Sequence, residues 1–405
     1  MTKKNSYTLL IIIFGVFFFF IGFGLAINAY LIPFLQGAFQ LSSTESYLVL
    51  AASYSAFVLF GYPSGLLIRK YGYKKSMVAS FFLFALGFAL FIPSSSAQSF
   101  VLFLLASFIS GMGNTLLQAA VNPYITILGN PESAAKRICI MGIFNKFAWA
   151  LAPIFLSLFL NLKQIEISEM SFPFLIILGI FLLLGVITIF IPLPEIEAPS
   201  TENAVPENDF SVQAKRSAFQ YPHLLLGVLA LFLYSGVESI ALATMVDFAK
   251  NVGLDNPETY VSYTVFFMCI GYILGVILIP RHTSQQNMLR LFALLGGASV
   301  VLVLFSPSRL AFWFVALLGL ANSIMWPAIW PLALHGLGRF TKEGSSLLVM
   351  GVVGGALMPL LFGRAVDFCV ARQIDMQMAY AVCFLPYLYI FYYANNGYRV
   401  GLSKP

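Results

Sequence analysis

Apolar residues run through the chain in long blocks, and polar residues gather between the blocks. A helix that crosses a bilayer needs about 20 predominantly apolar residues. Twelve blocks meet that length, at 8–34, 45–68, 76–96, 98–128, 137–160, 172–192, 223–250, 257–280, 287–305, 309–338, 342–370 and 376–395. The pattern predicts an all-α integral membrane protein with twelve transmembrane helices. The first block starts directly after Lys3 and Lys4. It is too long for the apolar core of a signal peptide and more spans follow it, so it reads as the first helix. Spans three and four nearly fuse around Ser94–Gln98. One long polar stretch, 193–222, breaks the series with Pro194, Glu195, Pro199, Pro206, Asp209 and Lys215. Without apolar periodicity it reads as a flexible linker. It divides the chain into a six-helix bundle at 1–192, the linker at 193–222, and a second six-helix bundle at 223–405.

Composition removes the soluble alternatives. Sixty per cent of the residues are apolar and 9% charged, whereas a soluble domain carries roughly a quarter charged residues. The net charge of +6 invites a nucleic-acid partner, but the basic residues follow topology instead. With the N-terminus in the cytoplasm, 16 Lys and Arg fall on the cytoplasmic side, five on the other, and Lys146 within a span. That bias obeys the positive-inside rule and places both termini in the cytoplasm. Cys139, Cys269, Cys369 and Cys383 lie in apolar stretches without paired spacing and read as buried thiols. His223, His282 and His335 share no ligand spacing.

The two halves repeat each other. Gly61-Tyr62-x-x-Gly65 recurs as Gly271-Tyr272-x-x-Gly275. Gly111, Asn114, Thr115, Gln118, Asn122 and Pro123 of span four align with Gly319, Asn322, Ser323, Trp326, Trp330 and Pro331 of span ten. Ala150-Leu151-x-Pro153 recurs as Ala356-Leu357-x-Pro359. Three matches in order at nearly constant offset identify an internal duplication of six-helix halves, the arrangement of the major facilitator fold. Substrate sites in such carriers lie near the bilayer midplane, and the halves rock about them in alternating access.

Polar groups within spans face a bundle interior or a watery cavity, because hydrocarbon cannot solvate them. Asn28, Gln118, Asn122, Asn145 and Asn322 are the amides that point to a substrate site. An amide both donates and accepts, as a sugar hydroxyl does. Trp326 and Trp330, four apart, share one helix face and offer rings to the C–H face of a sugar. The structural alternative is that the amides knit helices together and the indoles pack. Glu238 is the one acid and Lys146 the one base placed inside a span. A carboxylate there can carry a proton or hold Na⁺, or form a structural ion pair. The two are candidate coupling or gating residues. Neither a metal-ligand set nor a cofactor motif is present, and no nucleophile–base pair or phosphate loop supports an enzyme.

The loop Gly65–Lys75 resembles the helix 2–3 loop of the major facilitator superfamily, with Arg69 where that family usually has Asp. Within the superfamily, Gly111–Tyr124, Gly129–Arg137 running into Phe144-Asn145, Gly319–Pro331, Thr341–Ser346 and Gly354-Gly355 resemble the fucose–galactose–glucose sugar:cation symporter family, nearest its glucose/galactose branch. The resemblance implies sugar transport across a bacterial inner membrane. It also exposes departures. Proton-coupled fucose permeases have an Asn-Asp pair where this chain has Asn28-Ala29, and a Glu where it has Gln118. The sugar-facing Asn of helix five is matched by Asn145, while Gly142 replaces a Gln one turn earlier. The helix-seven Glu of the glucose-type branch is matched by Glu238. The resemblance therefore implies a hexose:cation symporter with H⁺ or Na⁺ as the coupling ion. Uncoupled sugar facilitation, export of amphipathic compounds, and a nontransporting sugar sensor are the competing readings. The expected partners are a small sugar and the lipid bilayer, with no nucleic acid. One six-plus-six chain suffices as a monomer.

Overall fold

A computed structural model describes residues 3–39, 48–159, 170–195, 217–255 and 260–402. Among the described residues the regular structure is helical. The main helices are α1 (Lys3–Ala38), α2 (Leu48–Leu59), α3 (Gly61–Ser96), α4 (Phe100–Ile127), α5 (Ala134–Ser157), α6 (Ser171–Phe190), α7 (Pro222–Ala243), α8 (Val261–Leu278), α9 (Gln285–Phe305), α10 (Ser308–Ser323, continued by Met325–Leu334), α11 (Thr341–Gly351, continued by Gly354–Ala371) and α12 (Phe384–Asn395). Ten described helices are long and apolar enough to cross a bilayer. The second and twelfth predicted spans differ. The block 45–68 divides into α2 and the first turns of α3 around Phe60. The block 376–395 begins as a 3₁₀ stretch, Met376–Cys383, before α12.

Chain contacts separate two compact units. One comprises residues 1–124, 144–196 and 345–349; the other comprises 125–143, 197–344 and 350–405. The boundary falls inside α4 and inside α5.

In the first unit α3 packs along α6 through phenylalanine rings. Phe84 and Phe181 stack with centroids 4.5 Å apart, Phe88 lies 5.5 Å from Phe181, and Phe91 lies 5.0 Å from Phe174. In lipid no hydrophobic force joins helices, so van der Waals and aromatic packing must do so. In the second unit small residues bring helices together. Gly319 of α10 sits on the Thr264 carbonyl of α8, and Gly354 of α11 sits on the Phe232 carbonyl of α7. A side chain at either glycine would strike backbone.

Two polar devices shape the loops. At Gly72 the backbone takes φ +84, which kinks α3. The Glu195 carboxylate lies against this glycine and accepts from the backbone N–H groups of Tyr73 and Lys74, at 3.0 and 3.1 Å. It thus caps the helix that restarts there. Nearby, the Tyr124 hydroxyl donates to the Pro194 carbonyl at 2.7 Å. The first residues of the expected linker are therefore held in place; its residues 196–216 lie outside the described ones. The second device is Arg137. Sequence alone places it among the topogenic charges, yet it is buried. Its guanidinium donates to the carbonyls of Ile125, Thr126 and Asn130 and to Ser133 Oγ, at 2.7–2.9 Å. It satisfies the carbonyls that the end of α4 leaves open.

Candidate functional site

The polar side chains singled out from sequence fall into two sets, one in each compact unit. In the first unit they form a ladder along α4. Asn114 Nδ2 donates to the Ile21 carbonyl of α1 at 3.1 Å. Its Oδ1 accepts from Gln118 Nε2 at 2.6 Å. Asn122 Nδ2 bonds back to the Gln118 carbonyl at 2.9 Å. All three are buried. The spacing explains the ladder, since residues four apart stack on one helix face.

On α5, Asn145 donates to the Phe18 carbonyl of α1 at 3.2 Å. Gly22 permits this approach, because a Cβ there would lie 2.7 Å from the Asn145 amide nitrogen. Asn145 stays half-buried, and Lys146 beside it is buried. Asn28 of α1 stands in a separate group with Ser53 of α2 and Ser110 of α4.

The second unit holds an aromatic and polar set on α7, α10 and α12. Asn322, at the end of the first segment of α10, accepts from the Tyr387 hydroxyl of α12 at 2.9 Å. Gly296 of α9 leaves room for the Tyr387 ring. Trp326 and Trp330 have ring centroids 5.4 Å apart, and Trp326 lies 6.2 Å from Tyr234 of α7. The Tyr234 hydroxyl is hydrogen-bonded to Glu238, one turn further along α7. Glu238 is half-buried and within electrostatic reach of Tyr272 and Tyr387 as well.

Two donors in this set are buried without a protein partner: Asn322 Nδ2 and Trp330 Nε1. An unpaired buried donor costs about 1–3 kcal/mol, and both side chains are fully enclosed by protein. The structure thus joins Asn322, Trp326, Trp330 and Glu238 through two tyrosines that sequence reasoning did not single out. Tyr234 precedes Glu238 by one helical turn, which is a readable spacing. No local pattern marks Tyr387.

The other candidate groups carry no chemistry of this kind. His223 Nε2 bonds to the His335 carbonyl at 2.9 Å, which ties the two ends together. Among the described residues, no three His, Cys, Asp or Glu converge as a metal site. None of the four cysteines is in a disulfide; three are buried and Cys269 is half-buried.

Apolar helices of spanning length that carry buried amides, indoles and a half-buried carboxylate within their spans define a polytopic membrane carrier. The chain belongs to the Major Facilitator Superfamily, whose sequence profile matches residues 12–362. It is 32% identical over 407 residues to a glucose/galactose transporter of Brucella abortus, covering 98% of this chain and 96% of that protein. It is 28% identical over 366 residues to the L-fucose-proton symporter of Escherichia coli, covering 84% and 83%. Its fold matches a crystal structure of the superfamily transporter FucP in the outward conformation, with a TM-score of 0.82 at 24% identity over 99% of this chain and 100% of that one.

Proposed function

We propose that the chain is a secondary transporter that carries a hexose of the glucose/galactose type by alternating access, coupled to a cation. The observation that carries this reading is the α7–α10–α12 set. Asn322 Nδ2 and Trp330 Nε1 are buried donors without partners. Trp326 adds an apolar ring face, and the Tyr234–Glu238 pair adds acceptors. Donors, acceptors and a stacking face together suit a neutral polyol better than an ion or a lipid tail. The full-length relation to a glucose/galactose transporter supports the same substrate class.

In this reading Gln118, Asn122 and Asn145 of the first unit and Asn322, Trp326 and Trp330 of the second are the sugar-binding candidates, and Glu238 and Lys146 are the candidates for coupling or gating. The chain crosses the bacterial inner membrane twelve times as two pseudo-symmetric bundles, 1–192 and 223–405, joined by the linker 193–222. Both termini are cytoplasmic, and the protein works as a monomer. H⁺ through Glu238, or Na⁺, supplies the driving force; no other cofactor takes part. The fucose-proton symporter among its relatives supports cation coupling.

The test is uptake of labelled D-glucose into proteoliposomes under an inward H⁺ gradient, an inward Na⁺ gradient, or neither. Accumulation under one gradient is expected. Equilibration without accumulation would make the protein a facilitator. No movement of glucose, galactose or fucose under any condition would overturn the sugar reading.

A further inference from the structure

α11 is a divided helix. Its segments, Thr341–Gly351 and Gly354–Ala371, meet at Val352 and Val353. Across this joint the backbone bonds reach back three residues instead of four. The Val353 N–H donates to the Met350 carbonyl at 3.2 Å, and those of Gly355 and Ala356 donate to Val352 and Val353, each at 2.9 Å. A 3₁₀ stretch inside an α-helix is a common place for a hinge. The joint lies on one face of α7. A Cβ at Gly351 would stand 2.9 Å from the Val228 carbonyl, and Gly354 sits on the Phe232 carbonyl one turn along. A further turn on, Ser235 Oγ donates to the Val352 carbonyl at 3.0 Å. Ser235 stands between Tyr234 and Glu238 in the chain.

The repeated scaffold does not require this break. The register that pairs Ala150-Leu151-x-Pro153 with Ala356-Leu357-x-Pro359 sets Gly351–Gly354 against Asn145–Ala148. α5 runs through that stretch as one helix, Ala134–Ser157. There Asn145 reaches the Phe18 carbonyl of α1, where α11 has a glycine. Glycine inside a helix costs stability, so the joint is a feature that one half carries and the other lacks.

The first segment of α11 is fastened elsewhere. Serines within helices commonly return their hydrogen to a carbonyl three or four residues back, as Ser64, Ser80 and Ser94 do. Ser345, fully buried, donates instead to the Ala119 carbonyl of α4 at 2.7 Å. That carbonyl is open because Pro123, four residues on, has no N–H to give it. Ala119 adjoins Gln118 of the amide ladder. Residues 345–349 group with the first compact unit, while the residues on either side of them, the joint and Ser235 group with the second.

A continuous helix held by two units resists their movement, whereas a few hinge residues absorb it. We propose that α11 is a jointed helix: Ser345 latches its first segment to α4, Ser235 anchors the joint on α7, and rotation at Val352–Val353 lets the first segment change its seat during transport. It rests on the alternating-access reading above and names the element that accommodates the motion. Ser345 and Ser235 are positioning residues, and neither has to touch the sugar. The latch and the joint connect the helix that bears Gln118 and Asn122 with the helix that bears Glu238.

The experiment is hydrogen exchange of the full chain in detergent, read peptide by peptide by mass spectrometry, with and without saturating D-glucose. Binding of labelled glucose and the unfolding midpoint are measured on the same samples. Without sugar, the amides of 350–357 should exchange roughly tenfold or more faster than those of 144–151, their repeat counterparts. Ser345→Ala should speed exchange across 345–357 by a further threefold or so, and leave 144–151 within about twofold of wild type. Ser235→Ala, which releases the Val352 carbonyl, should act on the same stretch from the other side. Glucose should alter exchange at 350–357 about threefold or more. Equal protection of the two stretches overturns the joint. Exchange that Ser345→Ala leaves unchanged, or raises evenly along the chain with a lowered unfolding midpoint, overturns the latch. Glucose that binds without altering 350–357 overturns the part of the joint in transport. If glucose does not bind but the two stretches differ and Ser345→Ala acts locally, the joint stands and the sugar reading falls.

Discussion

At the scale of single residues, the two partnerless donors of α10 separate binding from folding. Trp330→Phe removes the indole N–H while keeping an aromatic ring in a fully buried position. The wild-type donor is unsatisfied, so its loss should leave the unfolding temperature unchanged or slightly raised, set against a small loss of volume. Sugar affinity should nevertheless fall roughly 3–10-fold, the worth of one hydrogen bond of about 0.5–1.5 kcal/mol. Asn322→Ala should weaken sugar binding at least as much, and should also cost stability because it strands the Tyr387 hydroxyl. Equilibrium binding beside thermal unfolding separates the two effects. Unchanged affinity in both variants would remove α10 from the site. Asn322, Trp326 and Trp330 were legible in sequence because polar and indole groups inside a span stand out against hydrocarbon. Tyr387 was not, since a tyrosine among many aromatic residues declares its role only through the partner that its hydroxyl reaches.

At the scale of elements, helix number and helix boundary obey different physics. Apolar length is set by bilayer thickness and is written in the sequence, so most blocks between 8 and 395 reappear as helices close to their expected bounds. Continuity is decided by local backbone, and there the pattern was silent. Nothing in the run of apolar residues marks Phe60 as the boundary between α2 and α3, or the 3₁₀ turn that precedes α12. The Gly65–Lys75 loop shows the limit well. Sequence supplied two glycines for a turn, and the structure uses the left-handed conformation at Gly72, with Glu195 as its cap. Glu195 lies 123 positions later and gave no sign of this task within a polar, proline-rich stretch. Removing the cap by Glu195→Ala should cost about 1 kcal/mol. Gly72→Ala should cost more, since a Cβ would be strained at φ +84 and would lie 2.5 Å from the carboxylate. Unfolding midpoints of the two variants, with the pair combined, test whether the clash or the backbone angle dominates. Recovery of Gly72→Ala by Glu195→Ala would assign the cost to the clash.

At the scale of the whole molecule, the duplication visible in sequence sets up a functional asymmetry. Span four and span ten align residue for residue, yet one carries an amide ladder bonded to itself and to α1, and the other carries indoles beside Tyr234 and Tyr387. The same scaffold is thus tuned differently on its two sides. Glu238, hydrogen-bonded to Tyr234, belongs to the indole side. Glu238→Gln retains the shape and a hydrogen-bonding group but cannot gain or lose a proton. If Glu238 is the coupling group, it should abolish H⁺-driven accumulation of glucose while leaving exchange of internal and external sugar in place. Counterflow and driven uptake measured in the same proteoliposomes check this; equal loss of both would make the carboxylate a structural or sugar-binding group instead.

The Arg137 guanidinium also bears on how the chain can be handled as an object. It fastens three carbonyls from the end of α4 and the following turn to the start of α5, so that connection behaves as a rivet. Tags, reporter insertions and chain breaks are tolerated where backbone groups face water, and here they are already spent. A protein split at this turn into two co-expressed fragments should therefore fail to reassemble.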